Sequence, residues 1–448
     1  MKLFRLFILV ICFFVLVTSF LKLTVVETFI FTLSLVLLVQ GAFASFAMLY
    51  SFFCLGNLKK VMPPDTLVGS DTNKFSLIVP LKNEAKVIGE TLRAMTKIKY
   101  PKSLYEVLVV VRVDDILTIK AVERAIEKMS LGVDLPDIKL IKIDGEPINK
   151  AYSLNQAFLH ASGDIISVFD AEDSPSKHIL KAVDQTFLQT KVDVVQAGVQ
   201  LINVASRWFS ALNCLEYYFW FKSILPLMAS LGANPLGGNT VFFKKQVLNS
   251  IGGWDENCLT EDADIGIRAV AAGFKTKMIY LENLATLEET PQNEAAFIRQ
   301  RSRWDQGYLQ VLLKGDWLKL PSLKQQFLSF YLLCQFLIHQ FVVLSMISLP
   351  LVSLVTKVPL WLALFSWLPA YFLALQIGLY FIGLADLKKH YHLKFKKSLY
   401  LYLILSYIPY QLMLSLASFR AVFRQLFGLL NWEKTHHFNL HRQLKLAS

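Results

Sequence analysis

The sequence predicts an α/β domain inserted between membrane-spanning α-helices, with further helices lying at the membrane interface. Three observations predict it. Of 448 residues, 54% are apolar and only 18% are charged, against about 25% charged in soluble domains. Long apolar runs free of Asp, Glu, Lys and Arg lie near both ends of the chain. In the middle, short β-branched runs alternate with helix-like stretches, the pattern of a mostly parallel sheet covered by helices.

The uncharged runs cover residues 6–21, 28–58, 325–356, 358–385 and 398–419. About 20 apolar residues cross a bilayer core, so all but the first are long enough alone. The first gains Leu3, Phe4 and Leu23. Its start, Met1-Lys2-Leu3-Phe4-Arg5, carries the charge of a signal peptide, but a second run follows at once. Residues 1–58 therefore read as two transmembrane helices, and 325–419 as about three more. A fourth crossing arises if one run hides two, or if the segment around Pro409 turns back. Lys2, Arg5, Lys59 and Lys60 mark the cytosolic side. That places residues 59–324 in the cytosol and makes 420–448 a basic cytosolic tail, with Arg420 and Arg424 as membrane anchors. Lys388, Lys389, Lys394, Lys396 and Lys397 sit between two runs, as in cytoplasmic loops. Topology thus accounts for the net charge of +12, and nucleic acid is not an expected partner. Five cysteines without a CxxC pair exclude a zinc ribbon or a disulfide framework.

Within the insert, residues 75–81 (FSLIVPL), 106–113 (EVLVVVRV), 138–143, 164–169 (DIISVF) and 193–200 read as strands. Residues 207–231 and 295–318 are rich in aromatics or in Arg and Trp, and are expected as interfacial helices, with a buried core helix as the alternative for the first. Ligands of such folds gather at the carboxyl ends of strands, so polar motifs there come first. Asp170-Ala171-Glu172-Asp173 ends DIISVF. Clustered carboxylates suit Mg²⁺ or Mn²⁺, which bridge phosphate oxygens, or else they form an acidic loop before the next helix. Asp114-Asp115 ends EVLVVVRV and alone is a turn signal. Thr260-Glu261-Asp262 looks like a helix start, where a fixed carboxylate is also well placed as a general base. Gln300-Arg301-Ser302-Arg303-Trp304 combines guanidinium forks for diphosphate with an indole for a sugar ring, or forms an interfacial helix touching anionic lipid.

Taken in order, these motifs resemble those of the membrane-bound family-2 glycosyltransferases, processive polysaccharide synthases related to the cellulose, hyaluronan and β-glucan synthases. The resemblance covers about residues 75–317 and is nearest to a bacterial subgroup with Asp-Ala-Glu-Asp and a C-terminal Trp-Glu-Lys-Thr-x-His, here at 432–437. It implies a GT-A-like nucleotide-sugar domain and an inverting hexosyl transfer from a UDP-sugar to a growing β-linked polysaccharide, which is then translocated. Single-sugar transfer to a membrane lipid, and a non-catalytic membrane subunit, are the alternatives. The expected partners are a UDP-sugar, a glycan or lipid acceptor, membrane lipids, and periplasmic or outer-membrane export proteins. The expected location is the bacterial inner membrane, and the expected cofactor is Mg²⁺ or Mn²⁺.

The resemblance also assigns roles. Pro80-Leu81-Lys82-Asn83-Glu84 is similar to the family's Pro-x-x-Asn-Glu, and Lys150 with Ser153-Leu154-Asn155 to its Lys…Ala-Leu-Asn stretch. Asn83, Glu84, Asp114, Asp115, Lys150, Asn155 and Asp170 are then expected to bind the nucleotide sugar. Asp170, Glu172 and Asp173 would hold the metal, and Asp262 would be the catalytic base. Glu261, Gln300, Arg301, Arg303, Trp304, Gly238 and Asn239 would line the diphosphate and acceptor side. Two features depart from the family pattern: Glu172 stands where a second Asp is usual, and Asp114-Asp115 lacks the common Asp-Gly-Ser context.

Overall fold

The computed structural model describes residues 23–58, 72–130, 134–233, 236–430 and 433. The first expected crossing and the motif at 432–437, apart from Glu433, lie outside the described residues. α1 (Val25–Leu58) is followed by β1 (Phe75–Leu81), α2 (Ile88–Thr96), β2 (Tyr105–Arg112), α3 (Ile116–Ser130), β3 (Asp137–Ile143), α4 (Lys150–Phe158) and β4 (Ile165–Val168). α5 (Ile179–Gln189), β5 (Val194–Ala197) and β6 (Val199–Leu201) lead to α6 (Ser210–Phe219) and α7 (Leu225–Ser230), joined by a π turn at Trp220–Ile224. Then come β7 (Val241–Lys244), α8 (Lys245–Ile251), α9 (Glu261–Ala271), β8 (Thr276–Ile279) and β9 (Thr286–Glu288). Four long helices close the described chain: α10 (Glu294–Lys314), α11 (Leu323–Val355), α12 (Leu360–His390) and α13 (Ser398–Leu426).

The seven-stranded sheet has the order β3-β2-β1-β4-β7-β5-β8, and β6 pairs with β9 apart from it. β1 to β4 run parallel and β7 antiparallel. β1, β2 and β4 are almost wholly buried and mainly apolar because both faces are covered, whereas the edge strand β3 carries Asp137, Lys139 and Lys142. Leu77 and Val79 pack on one side with Leu92 and Val183, while Ile78, Leu108 and Val110 pack on the other with Leu154 and Ile265. β1 lies between β2 and β4, so the direction of strand succession reverses there. Such a switch opens a crevice beyond the carboxyl ends of these strands.

At the opposite end of the same strands, Glu106 is buried. It accepts from Ser76 Oγ at 2.6 Å, Ser162 N at 2.7 Å, Ser162 Oγ at 2.8 Å and Lys139 Nζ at 2.7 Å. Burial disfavours its charge, yet Lys139, Ser76 and Ser162 outweigh burial and hold the carboxyl down at about 2.

The chain divides into two compact units, residues 1–49 with 335–382, and residues 50–334 with 383–448. In the first, Phe31 stacks on Phe365 with ring centroids 5.4 Å apart. Among the described residues, three helices are long and apolar enough to cross a membrane: Val25–Phe53, Leu360–His390 and Ser398–Leu426. α13 is one continuous helix through Pro409, so the sequence-based alternative of a segment turning back there does not hold. α13 also belongs to the second unit, where it lies along α10: Ser302 Oγ donates to the Ala417 carbonyl at 2.9 Å and Ser418 Oγ to Asp305 at 2.7 Å. Its buried face carries Tyr410, Gln411, Ser415 and Ser418, which suit a protein partner better than lipid.

Most of residues 207–231 are buried within the protein. Phe209, Leu212, Leu215, Tyr218 and Phe219 are buried, and Trp208 at the start is the exposed aromatic of the stretch. Lys222, also buried, bonds Asp386 at 2.6 Å and Glu282 at 2.9 Å, fixing the last turn of α12 within the second unit. Arg420 and Arg424, expected as membrane anchors, both pair with Glu433, at 2.7 and 3.3 Å.

Candidate active site

The crevice is built from the ends of β1, β2 and β4, from the turn before β7, from the start of α9 and from α10. After β4 the chain makes a tight turn, with Asp173 N donating to the Asp170 carbonyl at 3.1 Å and Asp170 N to Asp173 Oδ2 at 2.8 Å. The turn leaves Asp170 partly open, while Glu172 is 9% and Asp173 0% exposed.

Lys150 opens α4, whose N-cap is Asn149; the Asn149 side chain accepts from Tyr152 N, a cap worth about 1 kcal/mol. From there Lys150 Nζ reaches Asp170 Oδ1 at 2.6 Å, the Gly238 carbonyl at 2.8 Å and Glu261 Oε1 at 3.7 Å. Burial works against this ammonium, but Asp170, Glu261 and Asp262 outweigh it and hold it charged above the ordinary lysine value.

Asp262 lies at the first turn of α9, where the helix start favours an anion, and its Oδ1 accepts from Ala263 N at 2.8 Å. Its Oδ2 faces Gly238, where a Cβ would come within 3.1 Å of it. The glycine therefore leaves the space in front of Asp262 open. Burial lifts Glu261 to about 7 against the pull of Lys150, and it also raises Asp262. Arg303, on α10, draws both acids the other way. Arg303 Nε is buried without a hydrogen-bond partner. α10 can approach this closely because Gly307, one turn on, packs against Thr260; a Cβ there would lie 2.7 Å from Thr260 N. Gln300 stands three residues before Arg303, on the same side of the helix.

Other expected residues fall elsewhere. Asp115 caps α3 through Thr118 N at 3.2 Å and accepts from Asn83 N at 2.6 Å. It thereby ties the ends of β1 and β2, with Asn83 in the left-handed region at φ 55°. Glu84 is buried, and its N–H donates to Thr118 Oγ1 at 3.0 Å. Asp114 is largely exposed and pairs with Arg112 at 3.2 Å. Asn155 points away from the acids: its amide bonds the Trp254 carbonyl at 2.9 Å and Glu256 at 2.7 Å, and its Oδ1 accepts from Trp254 N at 2.9 Å.

Arg301 also turns away from the acids. It bonds Asn213 at 2.6 Å and Glu216, and its guanidinium lies 4.8 Å from the Trp304 ring centroid. Trp304 in turn meets Tyr217 with centroids 6.3 Å apart.

Glu288 escaped the sequence reading. It is 8% exposed, and it shares the amide of Asn239 with Asp173, which accepts from Asn239 Nδ2 at 2.9 and 3.0 Å. Burial, then Glu172 and Asp170, lift Glu288 to about 7. Asp173 is pushed well above the carboxylate range by burial and then by Glu288, Asp170 and Glu172. The rule that polar residues ending strands come first would have found Glu288, since it ends β9. The strand was too short to register.

The family described as glycosyltransferase-like family 2 matches residues 72–307. A probable glycosyltransferase of Bacillus subtilis, YdaM, is 28% identical over 273 residues, covering 58% of this chain and 61% of that protein. A beta-monoglucosyldiacylglycerol synthase of Nostoc is 28% identical over 241 residues, covering 53% of this chain and 49% of that protein. The chain thus matches about half to three-fifths of these relatives' lengths. Among solved structures, a mannosyltransferase of Pyrobaculum calidifontis, determined with GDP-Man and Mn²⁺, superposes with a TM-score of 0.57 at 19% identity. It covers 89% of this chain and 99% of its own, a likeness of fold.

Proposed function

The chain belongs to glycosyltransferase-like family 2, and from that premise we propose that it moves a hexose from a UDP-sugar to a hydroxyl of a membrane lipid, with inversion. The observation that carries the reading is the Asp262 carboxylate facing the open space at Gly238, across from Lys150 and Asp170. An acceptor oxygen there gives its proton to Asp262 as it bonds the anomeric carbon. The bond from that carbon to the diphosphate breaks on the opposite face, and UDP leaves with the electron pair. Burial raises the proton affinity of Asp262, as suits a general base. Arg303, its Nε unpartnered, is placed for the diphosphate.

The residues fit a divalent cation. Asp170, Glu172 and Asp173 share one turn with Glu288 of β9 beside it, and burial first, then the neighbouring acids, push Asp173 and Glu288 upward. Asp170 and Glu172 would hold the metal, and Asp173, bound to Asn239 and the backbone, would brace the turn. When bound, Mg²⁺ or Mn²⁺ supplies positive charge for the departing diphosphate. The lipid acceptor is favoured by the activity named for the Nostoc relative. Elongation of a β-linked glycan is the second reading, supported by the Trp304–Tyr217 pair, whose faces suit sugar rings. In either case the α/β domain faces the cytosol of a bacterial inner membrane.

The test is UDP release from detergent-purified protein, with UDP-glucose and UDP-N-acetylglucosamine, with and without Mn²⁺, plus diacylglycerol, the products being sized. Metal-dependent turnover to a one-sugar lipid is expected. High-mass product without added lipid would replace it with the polymer reading. No turnover and no UDP binding would overturn both.

A further inference from the structure

We infer that Glu288 is a positioning residue for the Asp170–Asp173 turn, holding it in the shape that receives the metal and diphosphate through Asn239 and Asp173. The inference rests on the transferase reading above and goes beyond it, because Glu288 lies 115 residues after the end of that motif (288 − 173) and belongs to a different pair of strands.

Two contacts bind β9 to the turn. Ser174 N donates to the Leu287 carbonyl at 3.2 Å and Leu287 N to the Ser174 carbonyl at 3.1 Å, so the chain leaving the turn is clamped to β9. Next to this clamp, the Asn239 amide lies between two carboxylates, Asp173 on the turn and Glu288 on β9. An amide nitrogen has two hydrogens, one for each acid. Asp173 Oδ2 then accepts from Asp170 N at 2.8 Å, which carries the constraint to the residue at the mouth of the crevice.

If Glu288 were only filling space, the acid would be a poor choice. Burying a second carboxylate beside Asp173 is costly unless its acceptor is used. Here it is used, because Asn239 is fixed from the β9 side and cannot swing towards the crevice. Removing the acceptor frees Asn239 to follow Asp173, and the turn loses its strut.

The test is Mn²⁺ binding by the intact protein in the presence of UDP, followed by electron paramagnetic resonance, together with the Mn²⁺ dependence of turnover. Supporting residues of a metal site typically change affinity about 10- to 100-fold. Glu288→Ala is expected to weaken Mn²⁺ binding about tenfold or more. Glu288→Gln, which keeps an oxygen for Asn239, is expected to stay within about threefold. Both variants should give the wild-type melting profile in detergent to within a few degrees. Equal Mn²⁺ affinity in Glu288→Ala and wild type would overturn the inference, as would a Gln variant as weak as the Ala variant. Wild type that binds no Mn²⁺ with UDP would instead remove the transferase reading itself, and this inference with it.

Discussion

The two ends of the same sheet treat buried acids in opposite ways. At the amino end of β2, Glu106 is 2% exposed and fully answered: two serines and Lys139 converge on it, and its carboxyl sits at about 2. Beyond the carboxyl ends, Glu261 at the start of α9 and Glu288 at the end of the separate strand β9 are comparably buried and both stand at about 7, lifted first by burial. Burial alone therefore does not set the outcome; the supply of donors does. The amino end is finished as structure. At the carboxyl end, Asp170, Glu261, Asp262 and Glu288 are answered by fewer donors, and it is on this difference that the proposed cation site rests.

The largest effect that would break this comparison lies at Asp262. Asp262→Asn keeps the shape and removes the base, so turnover should fall by about 10³-fold, within the range for general bases, while UDP binding is unchanged in a fluorescence or calorimetric titration. Retained turnover would shift the base to Glu261. Lys150→Met comes next. It strips the shared cation from Asp170 and Glu261, and leaving buried charge unpaired costs about 3–5 kcal/mol. We expect kcat/KM to fall about 10²-fold, with most of the loss in donor KM, and no loss at all would mean that Lys150 is only a strut.

At the other end of the sheet, Glu106→Gln should leave activity per folded molecule intact and cost about 1–3 kcal/mol in stability at neutral pH, the price of a charge-assisted hydrogen bond. The sign follows from the depressed carboxyl. Its folded value near 2 lies below the unfolded 4.5, so its contribution is complete above about 4.5 and fades as pH falls towards 2. Denaturation at pH 6 and pH 3 should therefore show the gap between variant and wild type narrowing. A gap of equal size at both would contradict the assignment.

What the sequence made legible follows the same division. Strands announced themselves, because a run such as EVLVVVRV is apolar at almost every position, as a strand covered on both faces is; the role of the acids that close it was not announced. Asp170 stood out as an acid ending a strand and Asp262 as a carboxylate at a helix start, while Lys150 entered only through the family resemblance; the structure brings the three to one crevice. Asn155 and Arg301 were found as motif members but not as to direction. Which way a side chain turns depends on partners distant in sequence: Trp254 and Glu256 for Asn155, Asn213 and Glu216 for Arg301. Glu288 was missed because three residues of β9 give no period to detect. α13 is long and apolar enough to cross a membrane, as its composition reads, but composition does not say that Tyr410 and Ser418 meet α10 at Phe297 and Asp305.

α10 carries the comparison down to a single helix. One face holds Arg303 and Gly307 against the start of α9, and the other turns Arg301 towards α6 and α13. The second face can still bear on chemistry, since Arg301 lies over Trp304 and is itself set by Glu216, which accepts from Tyr410 Oη at 2.6 Å. Tyr410→Phe removes one donor to Glu216 and leaves Arg301 to pair with it, a change of about 1 kcal/mol at most. Only part of that reaches Trp304. The acceptor KM should therefore rise about two- to fivefold, with donor KM and donor hydrolysis in the absence of acceptor unchanged. An equal rise in donor KM would mean that the two faces of α10 move as one body, and that the division between structural and catalytic acids does not extend to this helix.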